Sequence, residues 1–202
     1  MKTIVFLLDE TGSMVQHSAE TIAAFNKYVA DLRKMDVLFS LTLFDSSHME
    51  RRHKAIAAAD VPDLTPQTYK PGAMTPLYDA IGQTIKETEG EALMVILTDG
   101  LENASHEYTF DGIKALIERK KAEDKWEFLF LASDLKVAQA GVTMVGAMAS
   151  SPTSSPDHAM RTASLATADY AAGRTMASAG HYANTAKTDD DKEPETGWKA
   201  TP

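Results

Sequence analysis

Asp9, Thr11 and Ser13 alternate along the chain directly after the apolar run "TIVFLL" (3–8), with Gly12 between the two hydroxyls. A carboxylate and two alcohols on one tight loop form a set of hard oxygen donors. Two further candidates lie far away in sequence: Thr75 in "GAMTPLYDAI", and Asp99 in "ILTDG", just past a second apolar run. No histidine belongs to the set, and the chain contains no cysteine. Oxygen-only coordination suits Mg²⁺, Mn²⁺ or Ca²⁺ rather than zinc or copper. The alternate spacing across Gly12 lets one loop present both hydroxyls to the same ion. Two carboxylates and three neutral hydroxyls leave an octahedral ion short of protein ligands. Water, or a carboxylate from another molecule, has to complete it.

These five residues meet only if the elements before Asp9 and Asp99 end on one edge. The runs "TIVFLL" (3–8), "VLFSLTLF" (37–44), "ALMVIL" (92–97) and "WEFLFLA" (126–132) read as strands. The first and third are continuously apolar, the pattern of central parallel strands covered on both faces. Helical spacing separates them: Ile22, Phe25, Val29 and Leu32 within 16–34, then Leu77, Ala80, Ile81 and Ile85 after Pro76, then Ile113, Leu116 and Ile117 within 110–122. Thr109 is placed to cap the last of these helices, with Asp111 in its first turn. "HMERRHKAIAAAD" (48–60) reads as a hairpin with a short, charged edge strand. The expected fold class is α/β: a doubly wound, mostly parallel central sheet with helices on both faces and one short antiparallel edge strand. In such sheets ligands gather beyond the carboxyl ends of the strands. The loop 61–76 holds Pro62, Pro66, Pro71 and Pro76, which marks it as ordered and stiff, and it delivers Thr75 to that edge.

Composition narrows the function classes. Apolar residues make up 44% of the 202 positions and charged residues 24%, an ordinary soluble balance with enough material for a core. Twenty basic residues against 29 acidic give a formal charge of −9, which argues against nucleic acid as a main partner. "MKTIVFLL" starts like a signal peptide, but its apolar run ends at Asp9 with no small-residue cleavage site after it. No apolar run approaches the length of a membrane span. The expectation is a cytoplasmic protein without membrane association. After about Gly146 the chain becomes rich in Ala, Ser and Thr. The expected division is therefore a domain at 1–146, a partly helical extension at 147–185 with Met160, Leu165 and Tyr170 as anchors, and a disordered tail at 186–202.

The motifs carry a resemblance. Asp9, Thr11 and Ser13 match the Asp-x-Ser-x-Ser motif of the von Willebrand factor A domain and its metal-ion-dependent adhesion site. Threonine stands here for the first serine and keeps the hydroxyl. Thr75 matches the family's single threonine, and Asp99 its later aspartate. More narrowly, "LFDSS", "VPDLTPQTYKPGAMTPLYDAIGQTI" and "LTDGLENAS" look like the stand-alone bacterial and phage branch related to tellurite-resistance-type proteins, over roughly residues 1–146. The loop "FLASDL" departs from that branch's usual Gly-Ala-Asn-Gln. The resemblance implies a Rossmann-like fold, a divalent cation at the five residues, and a protein partner whose acidic side chain completes the coordination.

Plainer readings compete at each residue. Asp9, Thr11 and Ser13 are turn formers, and Asp99-Gly100 has the composition of a simple turn. Thr75 before Pro76 has the arrangement of an N-cap and first helical position, and a double role, hydroxyl near the ion and backbone starting the helix, is open to it. Glu102, Asn103, Ser105 and Asp79 read as capping groups, and Met14 as a core plug. The alternative function is an Mg²⁺-dependent phosphohydrolase-like enzyme, or a structural phage particle protein. The phosphohydrolase chemistry commonly places a second acid two positions after its nucleophilic carboxylate. That position is Thr11, which does no general-acid work near neutral pH. No enzymatic activity is expected.

Overall fold

Alternation along one strand organises the whole molecule. In β1 (Lys2–Asp9), Ile4, Phe6 and Leu8 belong to one apolar cluster, while Val5 and Leu7 belong to another on the opposite face. Both faces must therefore be covered, and helices cover both. The computed structural model describes residues 1–132, 134–145 and 155–174. Ser133 of "FLASDL" and the expected tail at 186–202 lie outside the described residues, as do the remaining parts of the extension.

The strands are β1, β2 (Val37–Phe44), β3 (Met49–Ala57), β4 (Ala92–Leu97) and β5 (Glu127–Leu131). They form one five-stranded sheet in the order β3-β2-β1-β4-β5. All neighbours run parallel except β2 and β3. This is the doubly wound architecture expected, with its single antiparallel pairing at an edge. β3 carries Glu50, Arg51, Arg52, His53 and Lys54 in succession. Its pairing with β2 slips in register on either side of Leu41, and Ala55 takes a left-handed φ of 49°.

One face is covered by α1 (Ser18–Leu32) and α5 (Pro156–Ala171). The apolar stripe read from 16–34 is the buried stripe of α1: Phe25, Val29 and Leu32 are fully buried. Phe25 meets Phe6 edge-on, with ring centroids 5.4 Å apart. Truncating it to alanine would remove roughly 3–5 kcal/mol of stability. α5 lies on α1 through small residues, Ala159, Ala163 and Ala166, which allow close approach. Met160 and Tyr170 are buried, but Leu165 is 39% exposed and is not an anchor. The Tyr28 hydroxyl lies 3.1 Å from Thr167 Oγ1 and joins the two helices.

The opposite face is covered by α2 (Leu77–Glu87), α3 (Phe110–Asp124) and α4 (Leu135–Val145). Thr109 does cap α3: its Oγ1 accepts from the Gly112 amide at 3.3 Å. α4 was not legible from its sequence, "LKVAQAGVTMV", where alanine, glycine and threonine dilute the apolar period. Its start is fixed by Asp134, whose Oδ1 accepts from the amides of Lys136 and Val137 at 2.8 and 3.1 Å. Gly141 lets α4 sit against the sheet, since a Cβ there would fall 2.1 Å from the Phe130 ring. Among the described residues no helix is long and apolar enough to cross a membrane.

Candidate functional site

The strand order itself locates a crevice. From β1 the chain crosses through α1 to β2 on one side, and from β4 it crosses through α3 to β5 on the other. The two connections diverge, leaving an opening beyond the carboxyl ends of β1 and β4. Leu8 pairs with Leu97, so Asp9 and Thr98 leave the sheet side by side. Thr98 Oγ1 donates to Asp9 Oδ2 at 2.5 Å, and the Thr11 amide donates to Asp9 Oδ1 at 2.6 Å. The Tyr69 hydroxyl donates to the Asp9 carbonyl at 2.7 Å. Asp9 is thereby held in one orientation and is wholly shielded from solvent.

That burial has an electrostatic cost. Desolvation is the main cause that pushes the Asp9 carboxyl up to about 6 from its ordinary 3.8. Hydrogen bonds from Thr11 and Thr98 pull it down, and the negative charge of Asp99 pushes it further up. Asp99 brings its own anomaly: its Oδ1 is buried and has no hydrogen-bond partner. Among the described residues no cationic side chain forms an ion pair with either aspartate.

The hydroxyls gather around glycines. Thr11 Oγ1 lies 3.2 Å from Ser13 Oγ. Gly12 donates its amide to the Ala73 carbonyl at 3.0 Å, which ties this loop to the segment leading into Thr75. A Cβ on Gly100 would fall 2.7 Å from Thr75 Oγ1 and 3.2 Å from Ser13 Oγ. Only a hydrogen fits where these three segments meet. Ser13, Thr75 and Asp99 line an open cleft of about 390 Å³, with Lys136 on its wall. Asp9 and Thr11 are fully buried and are tied to that lining through the contact between Thr11 and Ser13. The structure thus draws all five sequence-derived candidates to one rim. No three Asp, Glu or His side chains converge on a metal-sized site among the described residues. Of the five candidates, two are carboxylates and three are hydroxyls.

Thr75 does not cap α2, contrary to the double role read for it. The N-cap position is Pro76, without a side-chain bond. Two groups from the loop after β4 take that part instead. Glu102 Oε2 accepts from the Tyr78 amide at 3.0 Å, and Ser105 Oγ accepts from the Asp79 amide at 3.1 Å. Asp79 returns the bond by accepting from the amides of His106, Glu107 and Tyr108 at 2.8–2.9 Å. Asn103 grips the Thr75 backbone, accepting from its amide at 2.8 Å and donating to its carbonyl at 3.1 Å. The Thr75 hydroxyl is left free to face Gly100 and Ser13.

Sequence reasoning also missed Glu10, Tyr69 and Thr98. Glu10 is buried beside Asp9, accepts from the Lys70 amide, and lies 3.1 Å from His48 Nε2. His48 Nδ1 lies 3.0 Å from Asp45, so one imidazole bridges two carboxylates on two loops, and the Lys70 amide on Glu10 ties in a third around the rim. Thr98 stood in plain view between an apolar run and Asp99. Nothing local marks Tyr69, whose target is 60 positions earlier.

No protein-family model and no curated protein matches the chain. Solved structures do. A von Willebrand factor type A protein from Catenulispora acidiphila superimposes with a TM-score of 0.53 at 12% identity, over 82% of this chain and 42% of that one. The pilus adhesin SpaC from Lactobacillus rhamnosus GG, in an open conformation, gives 0.58 at 12% identity over 81% and 29%. The chain spans less than half the length of either. Likeness at this level of identity establishes the fold, and the fold is that of the von Willebrand factor type A domain.

Proposed function

We propose that Asp9, Thr11, Ser13, Thr75 and Asp99 hold one divalent cation, Mg²⁺ or its surrogates Mn²⁺ and Ca²⁺, and that the chain is a metal-dependent protein-interaction module. One observation carries this reading: the buried Asp9 carboxylate and the half-buried Asp99 beside it pair with no cationic side chain among the described residues, and Asp99 keeps one buried oxygen without a hydrogen-bond partner. Burying the Asp9 charge next to a second carboxylate without compensation is costly, and a dication is the compensation that hard oxygen donors suit. The hydroxyls of Thr11, Ser13 and Thr75 add ligands without adding charge. When bound, the cation would supply a Lewis-acidic position for an anionic oxygen of another molecule. The Thr98 hydroxyl and the Thr11 amide orient Asp9, and Asn103 orients Thr75, so the rim is set before any partner arrives.

A partner carboxylate fits the remaining position, because the five protein groups leave an octahedral ion incomplete. Kinship with the stand-alone bacterial and phage branch belongs to the same proposal and rests on the motif contexts. The test is calorimetric titration of Mg²⁺ into the wild type and Gly100→Ala. The added methyl group would sit 2.7 Å from Thr75 Oγ1 and displace that hydroxyl, so affinity should fall about tenfold or more. No binding to the wild type at millimolar Mg²⁺, or equal affinity in both proteins, would refute the assignment.

A further inference from the structure

Beside the cleft lies a second cavity that none of the five candidate ligands uses. It measures about 190 Å³ and is lined by Leu77, Phe110, Phe130, Val137 and Met144 among others, between the sheet and helices α2, α3 and α4. Gly100, Leu101 and Val137 line both spaces, so the cavity opens from the wall of the cleft. Its one acidic side chain, Glu102, is already engaged by the Tyr78, Ala104 and Ser105 amides and by the Ser105 hydroxyl. The space offers an apolar group contact without requiring a polar one.

Its size narrows the occupant. An apolar cavity of roughly 150 Å³ takes up benzene, whereas sites for whole small-molecule ligands begin near 300 Å³. A single aromatic or large aliphatic side chain fits, and a cofactor does not. The surface outside points the same way. Six large apolar side chains are exposed among the described residues. Two of them, Met74 and Leu101, line the cleft, while Val15 and Leu135 lie on the segments carrying Ser13 and Lys136. Apolar groups crowded around a charged centre mark a protein-binding surface rather than chance exposure.

We infer that the partner is a protein segment in which an aspartate or glutamate stands within one or two residues of an aromatic or large aliphatic side chain. The carboxylate enters the cleft and the apolar side chain enters the cavity past Leu101. This rests on the cation reading above and extends it from one contact to two. It is tested on the Mg²⁺-loaded full chain with blocked pentapeptides. Each carries one aspartate, either among glycines alone or with phenylalanine one or two positions away on either side. At least one phenylalanine peptide should bind about tenfold or more tightly than the all-glycine peptide, and should shift the Met144 methyl resonance. Ala140→Trp, at an exposed position on the cavity wall, should erase that gain and leave the all-glycine peptide unaffected.

Equal binding of all the peptides, or a gain that survives Ala140→Trp, overturns this inference and leaves the cation reading standing. Absence of Mg²⁺-dependent binding by every peptide, together with absence of Mg²⁺ binding itself, overturns both. Mg²⁺-dependent dimerisation that Ala140→Trp abolishes would give the cavity to a second copy of the chain and overturn the inference as well.

Discussion

The two ends of the sheet present clefts of opposite character. At the amino ends of the strands, a space of about 580 Å³ is lined by Lys2, Asp36, Glu89 and Glu91. At the carboxyl ends the space is smaller, about 390 Å³. The larger one holds charges in water: Lys2 pairs with Glu91, their side chains are about a third exposed, and the Lys2 ammonium also sits 4.5 Å above the Tyr170 ring. The smaller one has half-buried Asp99 on its lining and the wholly buried Asp9 beside it, and among the described residues no cationic side chain pairs with either. Volume does not single out a working site here. Uncompensated buried charge does, because a fold retains such a cost only where something else relieves it.

The sharpest way to break this contrast is Asp9→Asn. It preserves shape and removes one of the two anionic ligands, so Mg²⁺ binding should become undetectable by calorimetry, a loss of about a hundredfold or more. Retained binding would move the cation elsewhere.

The second test removes the cation and varies pH. The folded-state value of Asp9 is raised to about 6 from 3.8. The group is protonated in both folded and unfolded chains below about pH 4, and no penalty arises there. As pH rises towards 6 the unfolded chain ionises freely while the folded one resists. Stability in EDTA should therefore fall across this window by about 3 kcal/mol and then level off. Asp45 works in the opposite sense. Burial pushes it up, but the Ser47 hydroxyl and the amides of Ser47 and His48 outweigh burial and hold it below the usual range. Its contribution is present at neutral pH and fades as pH falls through its folded value. The informative quantity is thus the difference between wild type and Asp9→Asn in urea denaturation from pH 4 to 7.5. A flat difference would show that Asp9 carries no burial cost.

The smallest effect belongs to the other end. Lys2→Met or Glu91→Gln breaks a partly exposed pair, worth less than about 1 kcal/mol. Mg²⁺ titrations of these variants should overlay the wild type. A change there would mean that the two ends are coupled.

The same contrast explains what was legible in the sequence. Continuous apolar runs revealed β1 and β4 because a strand buried on both faces has little freedom in composition, and the largely apolar runs at 37–44 and 126–132 revealed β2 and β5. Asp9, Thr11, Ser13, Thr75 and Asp99 were legible because they stand at the ends of those runs. The groups that hold them were not. Tyr69 reaches the Asp9 carbonyl and Thr98 reaches its carboxylate across 60 and 89 positions, a relation created by folding and absent from any local pattern. Thr75 misled for a related reason. Its neighbour Pro76 advertises a helix start, but the caps arrive from Glu102 and Ser105 after the next strand. Helix α4 stayed hidden because small residues pack well without producing a strong period, and Leu165 looked like an anchor where alanines do the packing.

β3 has a consequence of its own. An open parallel sheet ends in rows of unsatisfied amides and carbonyls that another chain can adopt as a template. Here the outer strand bears a run of charged side chains, slips register beside Leu41, and twists through a left-handed residue at Ala55. The opposite edge, β5, is only five residues long. Neither border offers a long, flat, apolar seam, so copies of this protein are poorly suited to join sheet to sheet into fibrils. The chain can be crowded at high local concentration and still meet its neighbours through side chains rather than through backbone.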